Sequence, residues 1–435
     1  MYTKLLIVLG LCIGPAGSLL AKNKAESASI IMPDSTTIDS MSSVTLKPLT
    51  LKEALRLARE ADLLYKRETA LAKSYQDRSI AVRKYPDPRI KMSAMNFPTD
   101  SYARDQEPMT QLKVGIQQKL PRGKTLRYKS EKATLMSARH KYLAQDRALR
   151  TIRGTRKAWL ELWYWNRAEK IVTYNKVLFV RGLRTTRDQY RTGRRRQEDI
   201  VRAQLEIDLL DDKLVQIRTR QQQSRAVLAS WIGESAAQRP LTKKIPQFNW
   251  MPMASKIKDH LRHHPLFLAS IKGVEARRRD VDIAKQAYKT GFAFEVSYAQ
   301  RENRADFVSA GIAMRIPLFK GKKLDRQTQA ARRRVEAETH RKDDVFVMML
   351  RQYNDRLALW NRLKQRYRSF KFILIPRARS NSRLTTSTYR NGRTDFANMI
   401  RAQVTALNIQ LKAIRIRIDL SKAHADMSYL AGEHL

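Results

Sequence analysis

The chain has 435 residues, and 86 Lys and Arg against 41 Asp and Glu leave a formal net charge of +45. That length holds two or three ordinary domains, and sparse Pro and Gly beside abundant Leu, Ala, Gln, Arg and Lys favour long helices. The single cysteine, Cys12, excludes Cys/His metal frameworks and CxxC redox motifs. The basic residues are spread along the chain at polar positions of helical patterns, with no zinc-finger or RNA-binding signature, which excludes nucleic acid as the expected partner.

Residues 1–21, "MYTKLLIVLGLCIGPAGSLLA", have a basic start at Lys4, an apolar run and small residues at Ser18 and Ala21. This is the pattern of a secretory signal peptide cleaved after Ala21. Leu11 before Cys12, where a small residue is wanted, argues against lipidation. Residues 22–48 form an N-terminal extension. No later segment offers about 18 apolar residues in a row, so membrane-spanning helices are not expected. A β-barrel stays open, because its strands are short and half apolar.

A first structural repeat spans 49–235. It begins with a helix, "LTLKEALRLA", and then alternates with period two. "RIKMSAMNF" from Arg89 sets Ile90, Met92 and Ala94 on one face, and "QLKVGIQ" sets Leu112, Val114 and Ile116 against Gln111, Lys113 and Gln117. Each reads as a strand of membrane-crossing length. Met92, Met95 and Met109 nearby read as barrel packing in preference to a copper site. No proline occurs from Lys124 to Arg239. A helix over 125–189 would extend about 100 Å, with "WLELWYW" from Trp159 as core. The phrase "YRTGRRRQEDIVRAQ" from Tyr190 marks a sharp turn at Gly193 into an antiparallel helix. That helix carries a heptad seam of Ile200, Ile207, Leu214 and Leu228 beside Ala203, Leu210, Ile217 and Trp231, with Gln221 and Ser224 interrupting.

Residues 236–259, with Pro240, Pro246 and Pro252, form a linker. The second repeat spans 260–435 and keeps the same order. It opens on a histidine cluster (His260, His263, His264) that reads as the surface of a helix start, since no acidic or Cys partner completes a metal site. "FAFEVSYA" and "VSAGIAMRI" are two more alternating strands, setting Phe292, Phe294, Val296 and Tyr298, then Val308, Ala310, Ile312, Met314 and Ile316, on one face. Pro376 should kink or locally unwind the long helix that follows. "YRNGRTDFANMIRAQ" from Tyr389 then repeats the earlier turn phrase 199 residues later, with Gly392 at the bend. Its seam alternates Met399, Ala406, Ala413, Leu420 and Met427 with Ala402, Ile409, Ile416, Ala423 and Leu430. Such a duplication gives two equivalent hairpins. Four strands cannot close a barrel, and an open sheet edge in lipid leaves backbone groups unpaired, so several chains must share one barrel.

On "LTLKEALRLA", "YPDP", "VGIQQKLPRGK" and the two turn phrases with their following "RAQ", the chain resembles the TolC-like outer-membrane efflux protein family over nearly all of residues 49–433. The "YPDP" and "LPRGK" wording is most similar to members serving resistance-nodulation-division pumps, heavy-metal exporters included. The resemblance implies a mostly α chain with a small β part: a homotrimer with a twelve-stranded transmembrane β-barrel, four strands per chain, set in outer-membrane lipid. A long α-helical coiled-coil tunnel continues it through the periplasm. It further implies a passive exit duct fed by an inner-membrane pump through a periplasmic adaptor protein, with no enzymatic activity, no cofactor and no metal. Tyr190, Arg191, Gly193, Tyr389, Arg390 and Gly392 match the adaptor-docking tips. Asp199, Arg202, Asp395, Asn398 and Arg401 match the periplasmic gate, but members with an acidic gate carry carboxylates where Asn398 and Arg401 stand. Alternatives are the duct of a type I protein secretion system and a periplasmic coiled-coil scaffold without a pore. The alternating strands weigh against a scaffold, which has no use for them.

Overall fold

The computed structural model describes residues 47–193, 196–246 and 256–432, so the leader and nearly all of the extension lie outside the described residues. Two short helices come first, α1 (Leu51–Ala61) and α2 (Leu63–Ala81). Thr50 caps α1 by accepting from the Glu53 amide at 3.2 Å. Asp62 caps α2 through the amides of Leu64 and Tyr65 at 3.0 and 3.1 Å. Side-chain oxygens at these positions satisfy amides that have no partner inside the helix.

Strands β1 (Arg89–Met95) and β2 (Gln111–Leu120) lead into α3 (Thr125–Arg191), 67 unbroken residues that turn back as α4 (Gln197–Ile232). A single turn, α5 (Glu234–Ala237), enters the proline-bearing segment, where Leu241 forms a parallel bridge with Leu49. Helix α6 (Ile257–His263) starts three residues before the expected repeat boundary, and α7 (Pro265–Gln286) follows. Next come β3 (Gly291–Gln300), β4 (Phe307–Arg315), a π-helical segment (Lys320–Asp325) and α8 (Arg326–Ser369). A second π-helical segment (Phe370–Leu374) joins α8 to α9 (Ile375–Arg390), and α10 (Phe396–Leu430) returns. That second segment ends one residue before Ile375 and two before Pro376. A proline ring collides with the carbonyl four residues back and donates no hydrogen bond; widening the helix there removes both conflicts, so the expected unwinding takes this form.

The four strands form one antiparallel sheet in the order β1-β2-β3-β4. Its register aligns the apolar alternations across strands: Ile90 faces Ile116, which faces Val296; Met92 faces Val114, which faces Tyr298. These side chains are exposed, Met92 by 79% and Val296 by 57%. The opposite face is polar, with Lys91 bonded to the Glu295 carboxylate at 2.6 Å and Gln117 donating to it at 3.0 Å. A sheet whose apolar face is the bare one is inverted relative to a water-soluble sheet, and among the described residues its two outer strands keep unpaired edges. No described helix is long and apolar enough to cross a membrane.

The main core is the seam between α3, α4 and α10. Trp159, Leu160 and Leu162 are fully buried in it, against the lower part of α1 and the proline-bearing segment. The indoles of Trp159 and Trp163 donate to the carbonyls of Leu49 (3.4 Å) and Thr242 (3.0 Å), so the aromatic run is core, as its helical spacing implies. Burying each large apolar side chain contributes roughly 1.5–3 kcal/mol. In α10, Met399, Ala402, Ala406, Ala413, Ile416, Ala423, Met427 and Leu430 are buried, and Leu420 and Ile409 half-buried. In α4 the seam also holds, but Ile200 and Trp231 are half-buried. Gln221 interrupts because its amide donates to Glu169 on α3 at 2.7 Å. A second cluster packs Met349 and Tyr353 of α8 against Leu261, Met427 and Leu430.

Candidate functional site

Both helical hairpins end in a turn built on a left-handed glycine. Gly193 has φ +72° and Gly392 φ +73°, and nothing lies within 4 Å of where a side chain would stand. The Gly392 amide donates to the Tyr389 carbonyl at 3.0 Å and the Arg393 amide to Thr388 at 2.9 Å. This paired closure stops a helix by satisfying its last carbonyls, and it requires the positive φ. The first turn repeats its inner bond, Gly193 to Tyr190 at 2.9 Å. The turn phrases are therefore the tips.

The two tips differ in what they bury. Tyr190, Arg191, Arg390 and both glycines are exposed. Tyr389 is 2% exposed: its phenol lies 3.2 Å from the Thr186 hydroxyl of α3 and its ring meets Phe396 edge-on at 5.6 Å. Of the six tip residues, Tyr389 alone joins the two hairpins and offers little surface to a partner.

The residues expected at a gate are likewise sorted by local structure. Asp395 caps α10, accepting from the Asn398 amide at 3.0 Å. The matching position in the first hairpin, 199 residues earlier, is Arg196, whose side chain makes no capping bond. Asp199 is 9% exposed, while Arg202, Asn398 and Arg401 are exposed. Among the described residues no ion pair joins Asp199, Arg202 or Arg401 to anything. Within one chain, Asp199 and Asp395 form no ion pair with Arg401 among the described residues.

Of the His cluster, His263 is exposed and His260 half-buried, as a surface reading expects, but His264 is not on the surface. His264 is fully buried and caps α7, its Nδ1 accepting from the Leu266 amide at 3.2 Å, while Nε2 lies 3.0 Å from the Tyr429 carbonyl. Both ring nitrogens are thus engaged by backbone. Met92 and Met109 are exposed by 79% and 51%, in keeping with strand and loop positions.

Sequence reasoning missed the buried acids that tie the helices together. Asp426 is surrounded by Lys157 at 3.1 Å, Arg356 at 3.6 Å and Arg153 at 3.9 Å. Burial raises the affinity of Glu161 for a proton, yet hydrogen bonds from Lys422 and Arg415 more than offset this and hold its carboxyl below the usual range. Asp146 accepts from the Tyr429 phenol at 2.7 Å; burial first, and then that carboxylate, push the phenol up to about 12. Partners up to 283 residues apart leave no local signature. Nor does Gly154 reveal itself: a Cβ there would meet the Trp231 ring at 2.4 Å, so the glycine is what lets Trp231 lie on α3.

No protein-family model and no curated protein sequence matches the chain. Solved structures do. The outer-membrane channel OprN is similar at a TM-score of 0.75 and 14% identity, over 88% of this chain and 90% of that one. The outer membrane protein VceC of Vibrio cholerae gives 0.74 and 16%, over 88% and 96%. The MtrE outer membrane channel of Neisseria gonorrhoeae gives 0.71 and 15%, over 88% of each. With an apolar-faced sheet continued by two glycine-tipped hairpins, this chain has the fold of the TolC-like outer-membrane efflux channels.

Proposed function

We propose that the chain is one third of an outer-membrane exit duct, passively conducting substrates delivered by an inner-membrane pump and a periplasmic adaptor. The observation that carries this is the sheet: its bare face is apolar, its inner face polar, and both edges are unpaired. Lipid satisfies the first property, a water-filled lumen the second, and pairing β4 of one copy with β1 of the next the third. Three copies supply twelve strands and six hairpin tips. The tips, led by Tyr190, Arg191 and Arg390, are the adaptor-docking surface, and Arg401 lies at the periplasmic mouth. The pump is of the resistance-nodulation-division class, exporting drugs or heavy-metal ions.

Membrane fractionation and mass measurement in detergent test the reading. The expected product is an outer-membrane trimer that raises the conductance of a planar bilayer. A water-soluble monomer without conductance overturns it.

A further inference from the structure

The two ends of the sheet carry opposite charge. At the far end, the loops 96–110 and 301–306 hold three basic and five acidic residues. Some of these charges are paired within the loops: Arg104 lies 3.4 Å from Glu302, and the Arg301 amide donates to Asp306 at 2.9 Å. At the helix end, the segments 82–88, 121–124, 287–290 and 316–325 hold eight basic residues and two acidic ones. One of those two acids, Asp325, already accepts from the Tyr288 hydroxyl. Arg83, Lys84, Lys124, Lys289, Lys320, Lys322 and Lys323 are all exposed, and none forms an ion pair with a described residue.

Apolar and aromatic side chains stand among these cations. Tyr85 is 66% exposed, Leu318 76% and Phe319 79%. Leu318 continues the apolar register of β4 beyond its end, from Ile312, Met314 and Ile316. The apolar face thus runs straight into Phe319-Lys320-Gly321-Lys322-Lys323, with the lysines on the π-helical turn that starts α8. An aromatic ring followed by lysines on flexible stems suits the boundary between hydrocarbon and headgroups, where the ring sits at headgroup depth and the ammonium reaches phosphate.

We propose that this helix-side rim is a docking surface for the phosphate headgroups of an anionic phospholipid leaflet. The inference rests on the membrane reading of the sheet and adds to it a lipid preference and a side. Charge complementarity identifies the occupant, because a dense unpaired cationic band beside an apolar face attracts anionic lipid. The opposite rim, net acidic, does not.

The full-length protein is reconstituted in bilayers of phosphatidylcholine containing a minor fraction of phosphatidylglycerol, and lipids retained on the protein are counted by native mass spectrometry. Phosphatidylglycerol should be enriched over phosphatidylcholine by about fivefold or more. The combined Lys320→Gln, Lys322→Gln and Lys323→Gln variant should lose most of that enrichment, and Arg304→Gln on the opposite rim should keep it. Inorganic phosphate at physiological ionic strength should not displace the lipid; displacement assigns the cations to a free anion and overturns the proposal. Insertion with no lipid preference, or with a preference untouched by the lysine changes, overturns the proposal alone. Failure to enter either lipid overturns the membrane reading and the proposal with it.

Discussion

The Thr186 hydroxyl, on the last turns of α3, lies 3.2 Å from the Tyr389 phenol at the end of α9, and both residues are buried. Thr186 also donates to the Gly182 carbonyl at 3.0 Å, which leaves its oxygen free to accept from the tyrosine. The internal repeat maps Tyr389 onto Tyr190 and Thr186 onto Thr385, each 199 residues away. Thr385 makes the matching bond, to the Asn381 carbonyl at 2.6 Å, but Tyr190 is 44% exposed and its phenol has no hydrogen-bond partner among the described residues. In a closed ring of copies, Tyr190 should therefore reach Thr385 of a neighbouring copy.

Cysteine pairs separate the two contacts. Thr186→Cys with Tyr389→Cys, bridged by a short bis-maleimide that replaces the lost length of the tyrosine, should cross-link within one chain. Tyr190→Cys with Thr385→Cys, treated in the same way, should give covalently linked trimers on a denaturing gel, and only monomers beside an efficient first cross-link would contradict the ring. Cys12, the one native cysteine, is replaced by Ser in both pairs so that it cannot react.

The tip glycines make a second prediction. Gly392→Val forces a β-branched residue to φ near +73°, at a cost of about 1–3 kcal/mol borne locally at the turn. Nothing crowds the position, so the barrel and the seams should persist while adaptor binding in a pull-down falls. Unchanged adaptor binding for this variant and for Gly193→Val would remove the tips from the docking surface.

His264 makes stability depend on pH in one direction. Burial holds its folded pKa below 6.5; Asp146 opposes this, and Arg150 and Arg153 reinforce it. The unfolded chain therefore takes up the proton first as pH falls through 6.5, so the stabilisation is complete above that value and declines below it. His264→Asn keeps an acceptor for the Leu266 amide but does not titrate. Its melting temperature in detergent should fall less than that of the native protein between about pH 7.5 and about pH 5.5. Parallel curves would mean that other groups govern acid sensitivity.

Arg401 concerns the mouth. It is exposed and forms no ion pair among the described residues, so in the proposed trimer, with the second tips at the mouth, three copies would form a cationic ring, which favours anions. Reversal potentials under a salt gradient should show weak anion preference, moved toward cations by Arg401→Asp. Identical potentials for the two proteins would take Arg401 out of the pore lining.

Strands, hairpins and seams were legible because each rests on a short period in the sequence: two in β2 and β3, seven in α10. The turn glycines were legible because a left-handed position admits few other residues. What resisted reading was decided across the chain. Tyr190 and Tyr389 sit in the same phrase, but only the second finds a partner hairpin in its own chain. His264 looked like one of a surface cluster until Tyr429, 165 residues on, covered it. Asp395 matched a gate position, and the structure adds that it caps α10, a role that its place one residue before a helix already allowed.

The π-helical segment at Phe370–Leu374 has a mechanical consequence. One arm of the first hairpin is a single rod of 67 residues, whereas the corresponding arm of the second is spliced just before Pro376. Bending compliance along a helix concentrates where its hydrogen-bond ladder is irregular. A load applied at the tips is then shared unequally: the first hairpin transmits it as a strut, and the second yields at its joint. In the proposed threefold ring, stiff staves would alternate with hinged ones, so that its tip end would bend more readily than the wall above.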